Sequence, residues 1–488
     1  MWWRDAVIYQ IYVRSFADSN GDGHGDLPGL RSKLDYLEWL GVDALWLTPV
    51  HPSPNADWGY DVADYRDIHP DYGTLEDFDA LVADAKGRGI GILIDLVPNH
   101  TSSEHPWFKD PEKRDWYVWA DEPNNWESTF GGPAWTKRPD VGRYYLHNFL
   151  PEQPDLDWWN PKVREAFEEI LAFWFDRGVG GFRIDVAHSL VKDKELRDNP
   201  FVGKAKDRRE ERIYNMNRPE VHEVYRRWRE LARGYDPERL LLGETWVAEP
   251  KELVKYYGND DELQLAMYFP FTQADLDVSD LRPVVERWES ILPPTAWPSW
   301  CGSNHDLPRF PTRWCAGDDA KIRCALMILL TLRGTPLLYY GDEVGREQVE
   351  IPEEEELDRA HSRDGCRTPM PWTREPDGDW WLRWGDTTRN VEDMRADPTS
   401  ILHLCRDLIS LRRELRGPYA PVDSPDGVWA WRRGDAAVVA LNLSNRPQAV
   451  RGVTGTIRRD TAGARTEEAV KGELRLGPWE GLVVLTNA

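Results

Sequence analysis

Cysteine is scarce in this sequence, and the cysteines present form no pattern of a disulfide or metal site. The 488 residues include five cysteines, an odd number, and none of them lies in a CxxC motif. Disulfide frameworks and zinc clusters both need grouped cysteines, so we expect neither. Reduced thiols are typical of a cytoplasmic protein, and we expect that location here.

The sequence also has few long apolar runs, and it has fewer basic residues than acidic ones. No run reaches membrane-spanning length, and the start, MWWRDAVIYQIYVRSF, lacks the basic region, apolar region and small-residue cleavage site of a secretory signal. The formal net charge is -24, which opposes binding to nucleic acid or to anionic membranes. We therefore expect a soluble protein with a small-molecule ligand and neither nucleic-acid nor membrane partners. The oligomeric state is left open.

Tryptophan, in contrast, is abundant. It occurs 26 times, and several copies are adjacent, as at Trp2–Trp3, Trp158–Trp159 and Trp380–Trp381. Most tryptophans pack in protein cores, and we expect that for most of these. Because amphipathic rings also cover the apolar faces of sugars, the excess favours a carbohydrate ligand.

Short apolar runs alternate with helical patterns through most of the chain. The first four runs are AVIYQIYV, VDALWLTPV, IGILIDLVPNH and VGGFRIDV, and the next four are RLLLGETW, QLAMYF, AWPSWCGSNHD and TPLLYYGDE. Eight near-continuous apolar strands with intervening helices indicate a parallel sheet covered on both sides, most simply a (β/α)8 TIM barrel. A doubly wound sheet is the alternative, but no glycine-rich phosphate fingerprint opens a helix.

Two segments interrupt the alternation. A stretch rich in proline, tryptophan and charge follows the third strand and is too long for a simple connection, so we expect an inserted B subdomain. Near the C-terminus the pattern becomes all-β, which predicts an antiparallel β-sandwich. The predicted organisation is an N-terminal barrel segment over 1–100, the inserted subdomain over 101–158, the remainder of the barrel over 159–417, and a C-terminal β domain over 418–488.

Polar residues stand at the carboxyl ends of several predicted strands, the edge where barrel enzymes carry their chemistry. A buried ion pair would explain Arg183 and Asp185 alone, but it would not explain acidic residues on three further strands. Converging carboxylates push their pKa values apart, as a nucleophile and an acid of glycoside chemistry require. The strand-end residues are Asp95, Asn99, His100, Arg183, Asp185, Glu244, His305 and Asp306.

Four ordered motifs carry a family resemblance. DLVPNH (95–100), GFRIDVAH (181–188), GETW (243–246) and SNHD (303–306) resemble the signature regions of glycoside hydrolase family 13, the α-amylase family. The resemblance covers nearly the whole chain and implies a barrel with a B domain and a β-sandwich C domain.

The resemblance also implies roles for individual residues. It makes Asp185 the nucleophile, Glu244 the general acid/base and Asp306 the transition-state stabiliser. It further implies that Arg183 holds Asp185 ionised. The residues that would bind hydroxyl groups of the sugar are His100 and His305.

Finer motifs resemble the α-glucosidase branch of the family. WGYDVADY (58–65) supplies Tyr60 as a stacking platform and Asp61, and RDGCRTPMPW (363–372) supplies Arg367. In that branch an Asp and an Arg matching Asp61 and Arg367 bind the terminal glucose. The resemblance therefore implies a retaining, exo-acting α-glucosidase that cleaves short α-glucosides through a covalent glucosyl–Asp185 intermediate.

Linkage preference stays open in the sequence. QPDLDWWNP (153–161) resembles the QPDLN stretch of oligo-1,6-glucosidases, with Asp157 in place of Asn. Val186 matches the residue associated with α-1,6 cleavage, whereas the following Ala187–His188 departs from that group. A methyl group in a binding pocket changes selectivity by only about 1–3 kcal/mol, so these differences do not decide the linkage.

Two alternatives share the resemblance. A transglucosidase such as trehalose synthase has nearly the same residues, and the short spacing from GDEVG (341–345) to RDGCRTPMPW is closer to that group. RIDVAH, however, resembles bacterial α-glucosidases more closely. A non-catalytic relative, like the heavy chains of amino-acid transporters, would lack the carboxylates and carry a membrane span.

The loop DSNGDGHGD (18–26) resembles a cation-binding loop. Oxygen ligands on alternate positions, with glycines at the tight turns, suit a hard cation such as Ca²⁺ or Mg²⁺. The alternative is a solvated turn rich in Asp and Asn, since the twelfth position from Asp18 is Gly29 rather than Glu. The predicted ligands of this structural ion are Asp18, Asn20, Asp22 and Asp26 by side chain and His24 by its carbonyl.

Overall fold

Short strands with buried residues at nearly every position form the centre of the molecule. The computed structural model describes residues 1–203, 209–358, 361–375 and 378–486. Within these ranges the strands are, in chain order, β1 (Ile8–Ile11), β2 (Ala44–Leu47), β3 (Gly91–Leu96), β4 (Trp119–Ala120), β5 (Trp135–Arg138), β6 (Arg143–Leu146), β7 (Gly181–Ile184), β8 (Phe201–Val202), β9 (Arg209–Glu210), β10 (Leu240–Gly243), β11 (Leu265–Ala266), β12 (Ser299–Cys301), β13 (Thr335–Tyr339), β14 (Tyr419–Pro421), β15 (Val428–Arg433), β16 (Ala437–Asn442), β17 (Gln448–Asp460), β18 (Ala469–Leu476) and β19 (Glu480–Leu485).

Eight of these strands close into a barrel. β1, β2, β3, β7, β10 and β11 pair in parallel along the chain, as do β12 and β13, and β13 returns to β1. A parallel bridge between Met267 and Ser299 joins the remaining edges, next to β11 and β12. The predicted (β/α)8 barrel is confirmed.

Helices connect the barrel strands and cover the outside of the barrel. α5 shows why they form: Asn160 accepts a hydrogen bond from the N–H of Lys162, Pro161 occupies the first turn, and apolar residues recur every three or four positions on the buried face. The helices of the described residues are α1 (Leu27–Ser32), α2 (Leu34–Leu40), α3 (Leu75–Gly87), α4 (Pro106–Lys109), α5 (Pro161–Asp176), α6 (Val221–Arg233), α7 (Pro250–Leu253), α8 (Phe269–Gln273), α9 (Val278–Ile291), α10 (Phe310–Arg313), α11 (Asp319–Thr331), α12 (Val391–Ala396) and α13 (Ile401–Arg412).

The segment between β3 and α5 has a small sheet of its own, within the predicted insertion. β4, β6 and β5 pair antiparallel in that order. A bridge between His100 and Asp155 ties the segment back to the end of β3. Lys192 strengthens this junction, because its buried ammonium lies 2.6 Å from Asn99 Oδ1 and 2.7 Å from Asp155 Oδ2. The insertion is therefore held against the end of the barrel at which β3 finishes.

The predicted C-terminal antiparallel domain is confirmed as six strands hydrogen-bonded in the order β14, β15, β16, β19, β17, β18. Apolar side chains of these strands form a cluster of their own. Trp429 and Trp431 belong instead to the large core of the barrel domain. The sheet also approaches α11 closely, since a Cβ at Gly481 would lie 2.7 Å from Met327 Sδ.

The described residues contain neither a membrane-crossing helix nor a disulfide. In that part of the chain, no helix combines the length and the apolar character needed to cross a membrane. The five cysteines lie in it as well, and each is buried and outside any disulfide.

Candidate active site

The acidic residues of the predicted set meet at one end of the barrel. Side chains on alternate strand positions point inward, and these positions of β3 and β7 are apolar or glycine until Asp95 and Arg183. Asp185 and Glu244 directly follow the ends of β7 and β10, and Asp306 lies in the loop after β12. The carboxyl groups of these last three residues line one cavity of about 470 Å³.

Arg183 lies between three acidic groups. It is fully buried, and its Nη1 donates to Asp95 Oδ1 at 2.9 Å and to Asp185 Oδ1 at 2.7 Å. Its Nη2 lies 2.9 Å from Glu244 Oε2. A Cβ at Gly181 would lie 2.3 Å from the Leu240 carbonyl oxygen, so glycine permits the close strand packing beneath this cluster. One guanidinium thus orients the carboxyl groups of three barrel strands.

The electrostatics of this cluster follow from one cation facing three acids. Burial raises the pKa of Asp185 well above its usual range, the Arg183 guanidinium opposes that rise, and the Glu244 and Asp95 carboxylates add to it. Burial likewise raises the pKa of Asp95 to about 6, against the effect of Arg183. Arg183 therefore acts in the direction that the resemblance implies, but burial outweighs it.

Asp306 lies in the opposite electrostatic environment. Its Oδ1 accepts hydrogen bonds from Arg363 Nη1 at 3.0 Å and from Arg367 Nη2 at 3.1 Å. Burial alone would raise the pKa of Asp306, but His305 and these two guanidinium groups outweigh burial and hold the pKa below its usual range. The cavity thus contains two carboxyl groups, those of Asp185 and Asp306, whose pKa values are shifted in opposite directions.

Glu244 is held by donors on both of its oxygen atoms. Oε2 accepts a hydrogen bond from the N–H of Val186 at 2.9 Å and lies beside Arg183, and Oε1 accepts one from Trp246 Nε1 at 3.0 Å. Val186 has a φ of 36°, a strained conformation for a β-branched residue. This local strain, directly after Asp185, aims its N–H at Glu244.

Asp61 and Arg367 do not form the predicted pair. The Asp61 carboxylate turns into its own loop, where it accepts hydrogen bonds from Ser53 Oγ and from the N–H groups of residues 56 and 57. Arg367 is fully buried behind Asp306. The pair on the cavity wall is Asp57 and Arg363, joined at 2.6 Å. Arg363 is the first residue of RDGCRTPMPW, and Asp57 directly precedes WGYDVADY. The sequence alone had assigned a role to neither residue.

The predicted sugar contacts divide into two groups. Tyr60 and His100 line the cavity. His305 lies behind Tyr60, stacked on its ring, and both of its ring nitrogens already have protein partners: Nδ1 lies 2.8 Å from Gln10 Nε2 and Nε2 lies 2.5 Å from the Tyr60 hydroxyl. His305 therefore supports Tyr60 and Asp306 in this structure rather than facing the cavity.

The remaining walls come from residues outside the predicted set. Phe130 and Phe149 of the insertion and Met216 of the loop before α6 contribute apolar surface, and Trp246 lies at the rim. In the sequence, the signal for such walls was the excess of aromatic residues, and that excess did not show which residues form them.

The predicted cation ligands lie together in one tight loop. Asp18 accepts backbone hydrogen bonds from residues 20, 21 and 23, and Asp26 accepts from Ser19 and from the N–H of Gly29. His24 turns its ring toward Arg14, leaving only its carbonyl for a cation. Among the residues described, no three His, Cys, Asp or Glu side chains are grouped as a metal site would require. The binding of a cation stays a prediction.

Comparisons with known proteins agree with this geometry. The model of the alpha amylase catalytic domain matches residues 10–417. The chain is 38% identical to a glucan 1,6-alpha-glucosidase of Streptococcus pneumoniae serotype 4, over 99% of each chain. It is 36% identical to an oligo-1,6-glucosidase of Parageobacillus thermoglucosidasius, over 99% of this chain and 98% of the relative. The crystal structure of the alpha-glucosyl transfer enzyme XgtA superposes with a TM-score of 0.92 at 37% identity, covering 100% of this chain and 99% of that one.

Proposed function

Because the chain belongs to the alpha-amylase family and is an α-glucosidase, we propose that it releases single glucose units from the non-reducing ends of short α-glucosides. The observation that carries the exo-acting mode is the charged wall of the cavity. Arg363 bridges Asp57 at 2.6 Å and Asp306 at 3.0 Å. Charged groups fixed in this way suit the hydroxyl groups of a terminal sugar and leave no path for a chain to continue.

In the proposed first step, an Asp185 oxygen attacks the anomeric carbon while the bond to the leaving oxygen breaks. Glu244 gives its proton to that oxygen, and the product is a glucosyl ester of Asp185. In the second step a water molecule gives a proton to Glu244 and attacks the anomeric carbon, and the bond from that carbon to the Asp185 oxygen breaks, which restores the Asp185 carboxylate. Two displacements retain the α configuration. Asp185 and Glu244 contact the two terminal nitrogens of the Arg183 guanidinium, at 2.7 and 2.9 Å, so one cation holds both groups at the same end of the barrel.

The other residues of the cavity act on the sugar itself in this proposal. Asp306 stays ionised, because its guanidinium neighbours hold its pKa below the usual range, and it faces the positive charge that develops on the sugar ring. Tyr60 supplies an aromatic face, and His100 supplies a polar edge of the same cavity. Asp57 and Arg363 bind the far hydroxyl groups.

The product pattern on maltoheptaose tests the exo-acting mode. We expect glucose and maltohexaose as the first products, with glucose released as the α-anomer, and slow action on starch because a chain interior cannot enter the cavity. Chromatography of early time points and NMR of the anomeric proton measure both. Mixed mid-length products at early times would contradict exo action, and β-glucose would contradict retention.

Transfer to an acceptor sugar is the second candidate function. The structural similarity to an enzyme named for α-glucosyl transfer favours it, because that similarity extends over the whole chain. A glucosyl ester reacts with a sugar hydroxyl as it does with water, so the same residues serve both reactions. Incubation with concentrated maltose separates them: glucose as the main product supports hydrolysis, whereas trehalose or longer saccharides support transfer.

We also propose that a Ca²⁺ or Mg²⁺ ion binds the loop 18–26. The oxygen atoms of Asp18, Asn20, Asp22 and Asp26 and the carbonyl of residue 24 would hold it, and oxygen donors are those that hard cations prefer. The loop is tied to a later segment, because its Gly23 carbonyl accepts a hydrogen bond from the N–H of Trp381. The ion would stabilise this connection.

Chelation should therefore lower the melting temperature without removing the catalytic groups. Binding to the native state alone contributes about 2.7 kcal/mol at a hundredfold excess over the dissociation constant. Differential scanning calorimetry with and without EDTA, together with elemental analysis, measures the effect. The variant Asp22→Ala should match the chelated protein. An unchanged melting curve and no bound metal would contradict the site.

A further inference from the structure

A chain of buried polar side chains runs from strand β1 to the wall of the cavity. Gln10, the third residue of β1, is 1% exposed, and its Nε2 lies 2.8 Å from Nδ1 of the fully buried His305. The other ring nitrogen, Nε2 of His305, lies 2.5 Å from the Tyr60 hydroxyl. That hydroxyl donates to Asp95 Oδ2 at 3.0 Å. Gln10 therefore reaches the cavity wall through His305 and Tyr60, although it does not line the cavity itself.

The imidazole of His305 has a single ring proton to place in this chain. Burial lowers the pKa of His305 to about 3; the Asp306 carboxylate opposes this shift, and nearby guanidinium groups add to it. Above that pH the imidazole is neutral, with a donor at one ring nitrogen and an acceptor at the other. The neighbours of the two nitrogens therefore determine which tautomer is present.

The Nε2 atom of His305 faces two groups that need a donor. Asp306 Oδ2 lies 3.2 Å away. Burial alone would raise the pKa of Asp306, but its cationic neighbours hold that pKa below the usual range, so the carboxylate only accepts. Burial raises the pKa of Asp95 to about 6, and above that pH Asp95 takes the proton of the Tyr60 hydroxyl in their hydrogen bond. The Tyr60 oxygen is then an acceptor as well, so Nε2 carries the ring proton and Nδ1 is left with a buried lone pair.

We propose that Gln10 is a positioning residue whose side-chain amide holds His305 in the tautomer with its proton on Nε2. The Gln10 amide nitrogen donates to the Nδ1 lone pair and satisfies it. His305 then donates toward Tyr60 and Asp306, which keeps both of these side chains in the orientation in which they line the cavity. The consequence for catalysis rests on the proposed function, in which Asp306 faces the charge that develops on the sugar.

The tautomer can be observed directly in the intact enzyme. In protein labelled with ¹⁵N-histidine, long-range ¹H–¹⁵N spectra distinguish a protonated ring nitrogen from an unprotonated one. The variant His305→Gln identifies the signals of His305 by their loss. At a pH well above the pKa of Asp95, we expect a neutral His305 with its proton on Nε2. A proton on Nδ1 instead would overturn the proposal, whether or not the enzyme hydrolyses α-glucosides.

The variant Gln10→Met keeps the length of the side chain and removes the donor. The Nδ1 lone pair is then buried without a partner, which lets the other tautomer compete. In that other tautomer the Nε2 lone pair would face the Asp306 carboxylate and displace it from the position that stabilises the transition state. We expect His305 signals from both tautomers and a loss of kcat for maltose of about tenfold, with a smaller change in KM.

Gln264→Met is the matched control, since Gln264 is also a buried glutamine of the barrel, and its amide bonds to the backbone of residues 239 and 241. This control should melt at a lower temperature but keep the wild-type His305 spectrum and kcat. An unchanged spectrum or an unchanged kcat in Gln10→Met would overturn the proposal, because Gln10 would then only fill space. If the wild type shows the expected tautomer but releases no glucose from maltose, the proposed function is wrong, whereas the tautomer held by Gln10 stands.

Discussion

Replacement of Asp185 by asparagine is expected to lower kcat by about 10⁴-fold or more with little change in stability. The amide cannot form the glucosyl ester on which both displacements depend. It can still accept the hydrogen bond that Arg183 donates to Asp185 Oδ1 at 2.7 Å. Because burial and neighbouring acids raise the pKa of Asp185, removing its charge also relieves repulsion in the cluster. The melting temperature should therefore be equal or slightly higher.

Steady-state assays with an aryl α-glucoside and thermal unfolding measure this prediction. The exposed Asp64→Asn is the matched control and should keep wild-type activity, since Asp64 lies outside the cavity. Azide offers a sharper readout, because an external anion can replace the missing carboxylate in the cavity. With α-glucosyl fluoride, Asp185→Asn plus azide should give β-glucosyl azide by a single inversion. More than about a percent of wild-type activity on maltose would contradict the assignment of the nucleophile.

The strand-end residues could be predicted from the sequence because a barrel leaves them little freedom. Once β7 is placed, its period of two sends Arg183 inward, and Asp185 follows at the open end. The backbone therefore decides where these groups lie. The same argument applies to Glu244 after β10 and Asp306 after β12.

The loop residues could not be predicted because their direction depends on backbone turns that motifs do not display. Positive φ angles at Asn55, Trp58 and Gly59 reverse the chain beside the cavity. That path presents Asp57 to the cavity and folds Asp61 inward, although the two are only four residues apart. A motif match identifies the loop but not the carboxylate that faces the substrate.

A similar geometry explains why Arg363 was missed. A single 3-10 turn, Asp364–Cys366, separates Arg363 from Arg367 and places both guanidinium groups on Asp306 Oδ1. Both also approach Asp358, and their remaining contacts differ: Arg363 reaches Asp57, whereas Arg367 donates to the His305 carbonyl. Asp57 and His305 come from distant parts of the chain, so spacing within the motif could not distinguish the two arginines.

The removal of the Arg363 side chain should therefore have the largest effect on sugar binding of any change in the cavity wall. Arg363→Ala leaves the buried Asp57 without its cation, and breaking such a contact costs about 3–5 kcal/mol. If that loss appears in the transition state, kcat/KM falls by about 10²–10³-fold. Asp306 stays ionised, because Arg367 still donates to it at 3.1 Å. The loss should therefore lie mainly in KM, with the nucleophile and acid intact.

A double-mutant cycle with Asp57 decides whether the two residues act as one unit on the terminal glucose. If they do, Asp57→Asn in the Arg363→Ala background should add little to the loss of kcat/KM that Arg363→Ala causes alone. Arg363→Lys is the matched control for charge, since an ammonium cannot bridge Asp57, Asp306 and Asp358 at once, and it should fall between the wild type and Arg363→Ala. The opened wall should also let Arg363→Ala release some maltose from maltoheptaose. Additive losses from the two sites, with glucose still the sole early product, would show that the exo-acting mode has another structural cause.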